Sequence, residues 1–157
     1  MGGVARVAVG QKFIFRGRAR QAPDRLITLV PGERRAQLLM DLSLNLRAMV
    51  SQRLVAKQDG KGRAAAVEIM INTPLISDLI FKGEVSEIKE IMKKSRNLGM
   101  QTFDQSLFDL YEANVISYED ALRNADSLND LRLQIKLNSQ RARSPDLASG
   151  TEHFAIV

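Results

Sequence analysis

The chain has 157 residues, of which 45% are apolar and 26% are charged, and it contains no cysteine. This length is enough for one domain with a hydrophobic core, and the composition is that of a globular protein. Disulfides and thiolate zinc sites are excluded. No apolar run approaches the roughly 18 residues of a membrane-spanning helix, so we expect a cytoplasmic protein without membrane insertion.

The formal net charge of +5 comes from the first 23 residues. This segment carries five basic residues and no acidic one, whereas the rest of the chain holds 18 of each sign. A phosphate-binding surface normally carries its lysines and arginines on the folded domain itself. Because Gly10 and Gly17 interrupt short apolar stretches, we expect residues 1–23 to be an atypical, disordered basic leader.

The apolar spacing becomes helical after a turn at Pro31-Gly32. Apolar residues then recur at three- and four-residue intervals, which predicts a long helix over 33–49. Residues 52–55 and 64–71 have the composition of two strands, and Asp59-Gly60-Lys61-Gly62 between them is typical of a turn. These segments predict a β-hairpin, which is marginal alone and leaves an unpaired sheet edge.

Five further helices are predicted, four of them from their start signals, and the tail lacks any period. Thr73 can cap a helix with Pro74 at its first position and Gly83 at its end. A second apolar stripe follows over 85–92. The remaining starts are the capping-box pair Thr102 with Gln105, then Ser117 with Asp120, and Ser127 with Asp130. Residues 138–157 are expected to be disordered.

The order of these segments resembles the carboxyl-terminal end of type IV pilus retraction ATPases of the PilT/PilU kind. No single piece is a catalytic signature, and the resemblance rests on the shared order of several stretches between Asp24 and Leu137. The main ones are Pro31–Arg35, Leu42–Leu54, Gly62–Ile76, Leu98–Asp104 and Ser117–Leu122. The resemblance implies that residues 24–137 are part of a RecA-like α/β P-loop ATPase domain. This piece alone would be mainly α, a helical bundle with one β-hairpin.

The resemblance further implies that the intact protein is a hexameric ATPase that uses ATP and Mg²⁺ to drive pilus disassembly. Its partners would be other retraction ATPase subunits and the pilus platform at the cytoplasmic side of the inner membrane. However, the phosphate-binding motif G-x-x-x-x-G-K-S/T is absent from the sequence. The nearest fragment, Gly60-Lys61-Gly62-Arg63, falls in the predicted turn. The family's acidic strand end and histidine box are also missing, so we expect no catalytic residue, no bound cofactor and no ATP turnover by this chain alone.

Two sets of residues are candidates for a functional role. Arg53 and Arg63 are weak candidates for an ATPase subunit interface, where arginines can stabilise phosphate charge; the alternative is a solvent-facing strand arginine. The family's retraction-associated helix, Ala-Ile-Arg-Asn-Leu-Ile in some members, aligns with Leu75, Ile76, Ser77, Asp78, Leu79 and Ile80. Ser77 and Asp78 replace its Arg and Asn. A metal site is not expected, because His153 is the only histidine.

These observations indicate a truncated or frame-shifted piece of a retraction ATPase that can still bind ATPase subunits. The alternative hypothesis is a small helical nucleic-acid-binding or adaptor protein that uses the basic leader. The two differ in salt dependence, because phosphate binding weakens steeply between low and physiological salt.

Overall fold

The computed structural model describes residues 4–9, 11–16 and 32–143, which form a four-stranded sheet with helices on one face. The sheet order is β2-β1-β3-β4, and all neighbouring pairs are antiparallel. The strands are β1 (Val4–Val9), β2 (Gln11–Arg16), β3 (Leu46–Ala56) and β4 (Arg63–Ile71). The helices are α1 (Gly32–Asn45), α2 (Pro74–Lys82), α3 (Val85–Lys94), α4 (Phe103–Glu112), α5 (Tyr118–Asn124) and α6 (Leu128–Asn138). Short 3₁₀ turns follow at Arg96–Leu98 and Arg141–Arg143.

The predicted β-hairpin is present as β3 and β4, with pairing from Ala48 opposite Ile71 to Ala56 opposite Arg63. The intervening loop contains Gly60 and Gly62 at φ values of 70° and 89°, a region that glycine enters at little cost. The loop therefore has the glycine-dependent turn geometry that the sequence predicts.

The predicted helix over 33–49 was too long, because α1 ends at Asn45 and β3 begins at the next residue. The side-chain amide of Asn72 donates to the carbonyls of Ser43 (3.1 Å) and Leu46 (2.9 Å), and its backbone N–H donates to the carbonyl of Arg47 (2.9 Å). The bond to Ser43 satisfies a carbonyl of the last turn of α1, where carbonyls lack partners within the helix, and the other two bonds reach the first residues of β3. They hold the chain where it leaves the helix and enters the sheet.

The expectation of a disordered leader was wrong for residues 4–9 and 11–16, which form β1 and β2. β1 pairs with β3 from Val4 opposite Gln52 to Val9 opposite Leu46. The physical reason is that β3 would otherwise expose an edge of unpaired N–H and C=O groups. The rest of the leader and the tail from residue 144 onward, with His153, lie outside the described residues. The predicted disordered tail also began too early, since a 3₁₀ turn extends to Arg143.

The predicted helix starts are confirmed at the level of individual hydrogen bonds. The hydroxyl of Thr73 accepts from the N–H of Ile76 at 3.4 Å, and the helix ends at Gly83 with φ of 75°. Thr102 and Gln105 form both bonds of a capping box. The two remaining caps have the same form, with Ser117 accepting from Asp120 and Ser127 from Asp130.

The helices bury two hydrophobic clusters against one face of the hairpin. Residues 49 and 70 on the strands belong to the first cluster, and 55, 64 and 66 belong to the second. The first cluster holds Leu39, Leu46, Met49, Met70, Ile76, Leu79, Ile80, Ile88, Met92 and Met100. The second is built mainly from Val55, Ala64, Ala66, Phe103, Leu107, Tyr111, Ile116, Ala121, Ala125, Leu131 and Ile135. No helix in the described part of the chain is long and apolar enough to cross a bilayer.

Candidate functional site

Four charged side chains meet where the helices cover the hairpin, and we call them the charged cluster: Arg53, Glu68, Lys89 and Asp126. They come from β3, β4, α3 and the link between α5 and α6, respectively. The Arg53 guanidinium lies 2.6 Å from one Asp126 carboxylate oxygen, and the Lys89 ammonium lies 2.8 Å from the other. Arg53 on β3 and Lys89 on α3 thus pair with the same carboxylate.

Arg53 is largely enclosed, with 13% of its side chain exposed. It donates to the carbonyl of Asn124 at 2.7 Å, and its guanidinium lies 4.0 Å from the ring centre of Phe103. Such stacking and forked hydrogen bonding suit arginine better than lysine. The alternative of a solvent-facing strand arginine is therefore wrong for Arg53. The structure gives this residue a role in joining β3 to the carboxyl-terminal helices.

The carboxylate of Asp104 holds the backbone at Asp126 in place through two hydrogen bonds. Asp104 is 4% exposed and accepts hydrogen bonds from the N–H groups of Asp126 (2.8 Å) and Ser127 (3.2 Å). Burial alone would raise the pKa of Asp126, but the hydrogen bonds from Lys89 and Arg53 outweigh it and lower that pKa. Asp126 is thus stabilised in its ionised form.

Glu68 differs from Asp126 because no described lysine or arginine donates a hydrogen bond to its carboxylate. It lies opposite Ser51 in the β3–β4 register and lines a cavity of about 270 Å³ that Lys89 and Asp126 also line. Burial is the main cause that raises the pKa of Glu68 to about 7, and repulsion by Asp126 adds to it, while Lys89 and Arg53 act in the opposite direction. Glu68 therefore changes its ionisation near neutral pH.

Of the charged cluster, the sequence singled out Arg53 alone as a candidate site residue. The sequence did carry one signal that Glu68 is unusual. Glu68 is an acid within the apolar strand Arg63–Ile71, and the other even-numbered positions of that strand face the core. Lys89 resembled a solvated helix residue. Asp126 stands 73 positions from Arg53 along the chain, and no local pattern links them.

The second predicted arginine, Arg63, is exposed at the beginning of β4. The adjoining fragment Gly60-Lys61-Gly62 lies in the hairpin loop, where the N–H of Lys61 donates to the Asp59 carboxylate at 2.8 Å. A phosphate cradle needs several free backbone N–H groups directed at one point. This loop instead satisfies the Lys61 N–H internally, as the turn interpretation predicts.

The retraction-motif-like segment lies on α2, and its two faces differ. Ile76, Leu79 and Ile80, which match the family motif, are buried. Of the three that depart from it, Ser77 donates to the carbonyl of Ser43 on α1 at 2.7 Å, and Asp78 pairs with Lys82 on the surface at 2.7 Å. The exposed residue Leu75 completes the segment. The matching positions thus serve packing, and any role of this helix in retraction stays a prediction.

The family-like stretch Leu98–Asp104 joins the sheet to the helices. Gly99 has φ of 86°, and Gln101 then pairs with the backbone of Ile69 through bonds of 2.8 and 2.9 Å. The side-chain amide of Gln101 donates to the carbonyl of Val67 at 3.0 Å. Gly99 and Gln101 thus have structural roles in this stretch.

Within residues 4–9, 11–16 and 32–143, no group of three or more histidine, aspartate or glutamate side chains is arranged to hold a metal ion. The charged cluster supplies two carboxylates, one of which is already paired with two cations. Its geometry therefore suits structural support.

Comparison with solved structures shows that this fold is that of one part of a pilus-motor type of ATPase. The crystal structure of the pilus retraction motor PilT with bound ADP superposes with a TM-score of 0.61 and 29% identity, over 70% of this chain and 30% of that one. The ATPase DotB of Yersinia pseudotuberculosis shares the fold, with a TM-score of 0.52 and 23% identity over 69% of this chain and 27% of that one. The expected fold class, a mainly helical piece of a RecA-like ATPase, is confirmed.

Sequence comparison identifies the family. The type IV pilus ATPase PilU of Pseudomonas aeruginosa is 58% identical over 138 residues, which are 88% of this chain and 36% of PilU. PilT of the same organism is 39% identical over 65% of this chain, and a twitching motility protein of Neisseria gonorrhoeae is 34% identical over 69%. This chain spans 29% of each of those two proteins. No protein-family profile matches the chain. Through its matched part, the chain belongs to the type IV pilus retraction ATPases.

Proposed function

We propose that the chain is the carboxyl-terminal portion of a PilU-like retraction ATPase, and that it acts by binding to subunits of such motors. The identity of 58% to PilU over 88% of the chain carries this proposal. The fold supports it, because the stretch Leu98–Asp104 and the buried residues of α2 make the contacts that hold the helices on the hairpin. The chain would act at the cytoplasmic side of the inner membrane, through the pilus machinery.

By itself the chain does not turn over ATP in this proposal. In the intact family ATP and Mg²⁺ are held by a phosphate loop and an acidic strand end, and the sequence of this chain has no phosphate loop. Arg53 is engaged with Asp126, so Arg63, exposed at the beginning of β4, is the better placed of the two arginines to contact a neighbouring subunit.

The test is co-purification of the tagged chain with full-length PilU and PilT subunits at low and at physiological salt. We expect a complex with at least one of them, weakened by Arg63→Glu. The matched control is Arg34→Glu, which reverses an exposed charge on α1 instead. Failure to co-purify with either subunit would contradict the proposal.

ATP turnover is measured on the same preparations. We expect the chain alone to show no hydrolysis above background. Turnover that survives removal of contaminating ATPases would contradict the inactive assignment without affecting the binding result. The nucleic-acid-binding alternative is not favoured, since the relatives found are pilus and twitching-motility proteins.

A further inference from the structure

A cavity of about 270 Å³ between the hairpin and α3 has no part in the subunit binding proposed above. Half of its lining residues are apolar, with Met49 and Met70 from the sheet and Val85, Ile88 and Met92 from α3. The other half are polar or charged: Ser51, Glu68, Ser86, Lys89 and Asp126. Drug-sized ligands occupy pockets of roughly 300–1,000 Å³. The space therefore suits a small molecule.

Glu68 supplies the unmatched charge of this cavity. No described residue joins it through a hydrogen bond or an ion pair, whereas Asp126 in the same wall already has both Lys89 and Arg53. Burial raises the pKa of Glu68 to about 7, although the charges of Lys89 and Arg53 act to lower it. The group that would complete the cavity is therefore a hydrogen-bond donor with a positive charge.

We propose that this cavity binds a short aliphatic primary amine. Its ammonium group pairs with the Glu68 carboxylate, and its alkyl chain contacts the side chains of Met49, Met70 and Met92. An ammonium is a compact donor of three hydrogen bonds, and methionine side chains adapt their shape to a small apolar guest. An anion would meet two carboxyl groups here, while both cations are already paired.

Lys89 is the internal competitor for Glu68. Its ammonium lies on Asp126 at 2.8 Å, and with 39% of its side chain exposed it has room to turn towards an ionised Glu68. A bound amine must take the place that this lysine could fill. Lys89→Met removes the ammonium and keeps an aliphatic stem, so it should strengthen amine binding.

The test is a titration of the full chain, labelled with ¹³C in its methionine methyl groups, with n-butylammonium chloride at pH 8 and constant ionic strength. We expect saturable shifts of the Met49, Met70 and Met92 signals, with a dissociation constant on the order of 1 mM. Met40 and Met100 lie outside the cavity and should not shift. Because a carboxyl group with this pKa is ionised about tenfold less at pH 6 than at pH 8, affinity should fall about tenfold between them.

Two comparisons decide the outcome. Glu68→Gln keeps the shape and removes the charge, and should abolish the saturable shifts. The uncharged analogue n-butanol should bind about tenfold more weakly than the amine, because it lacks the charged hydrogen bond. Unchanged affinity in Glu68→Gln, equal binding of the alcohol, or equal shifts of the five methionines named above would overturn the proposal. A loss of affinity in Lys89→Met would overturn it as well. None of these results depends on binding to a motor subunit.

Discussion

The replacement Glu68→Gln should make the protein more stable at pH 8 and change it little at pH 4. The folded state holds the Glu68 proton more tightly than the unfolded chain does, because its pKa rises from 4.5 to about 7. The free energy of unfolding therefore falls as pH rises through this window. At 1.36 kcal/mol for each pKa unit, the full loss is about 3 kcal/mol, and Glu68→Gln should recover most of it.

The measurement is a set of urea unfolding curves for both proteins at several values between pH 4 and pH 8. The difference between the two proteins should grow as pH rises from 4.5 and level off above neutrality. Asp126, whose pKa is lowered, loses its contribution as pH falls, and it does so in both proteins. Glu87→Gln on the exposed side of α3 is the matched control and should follow the parent chain. A pH-independent difference between Glu68→Gln and the parent would refute the reasoning.

Three further substitutions test single contacts, each through the free energy of unfolding. Arg53→Met should destabilise the protein by about 3 kcal/mol, because it leaves the largely buried Asp126 with one cation; a loss below about 1 kcal/mol would show that the pair adds little. Thr102→Ala should cost about 1 kcal/mol through loss of the α4 cap, and Thr102→Ser should restore most of it. Gly83→Ala should cost about 1–2 kcal/mol, since its φ of 75° is unfavourable for alanine; a neutral result would mean that the turn relaxes.

Short-range chemistry explains why most helix starts could be predicted from the sequence. Thr102 and Gln105 stand three residues apart, and both bonds of their capping box form within that turn. Gly83 likewise ends α2 through its own backbone conformation. These signals act within a single turn and do not depend on distant residues. They therefore hold in the folded protein.

The end of α1 was misplaced because its boundary depends on distant residues. Leu46 and Met49 continue the helical spacing, yet they belong to β3, where Met49 pairs with Met70. The bonds from Asn72 that hold this boundary come from 26 and 29 residues away. Pairing with β4 outweighs the local preference for a helix, and spacing alone does not reveal it.

The charged cluster was hidden for the same reason. Arg53 was recognised as a charged strand residue, but its partner Asp126 is 73 positions away, and Asp104 must hold the backbone of Asp126 in place. Only the folded chain shows that Glu68 lines a cavity beside these groups. The type of each residue was readable in the sequence, whereas its pairing and burial were not.

The pairing of Gln101 with Ile69 has a consequence for how the protein can associate. Together with Ser106, whose hydroxyl accepts from the N–H of Val67 at 2.9 Å, it occupies hydrogen-bonding groups along the outer side of β4. A strand from another molecule would have to displace both residues before it could extend the sheet there. Fibril-like growth by strand addition is thus hindered at β4, and among the described strands the remaining route is the far side of β2.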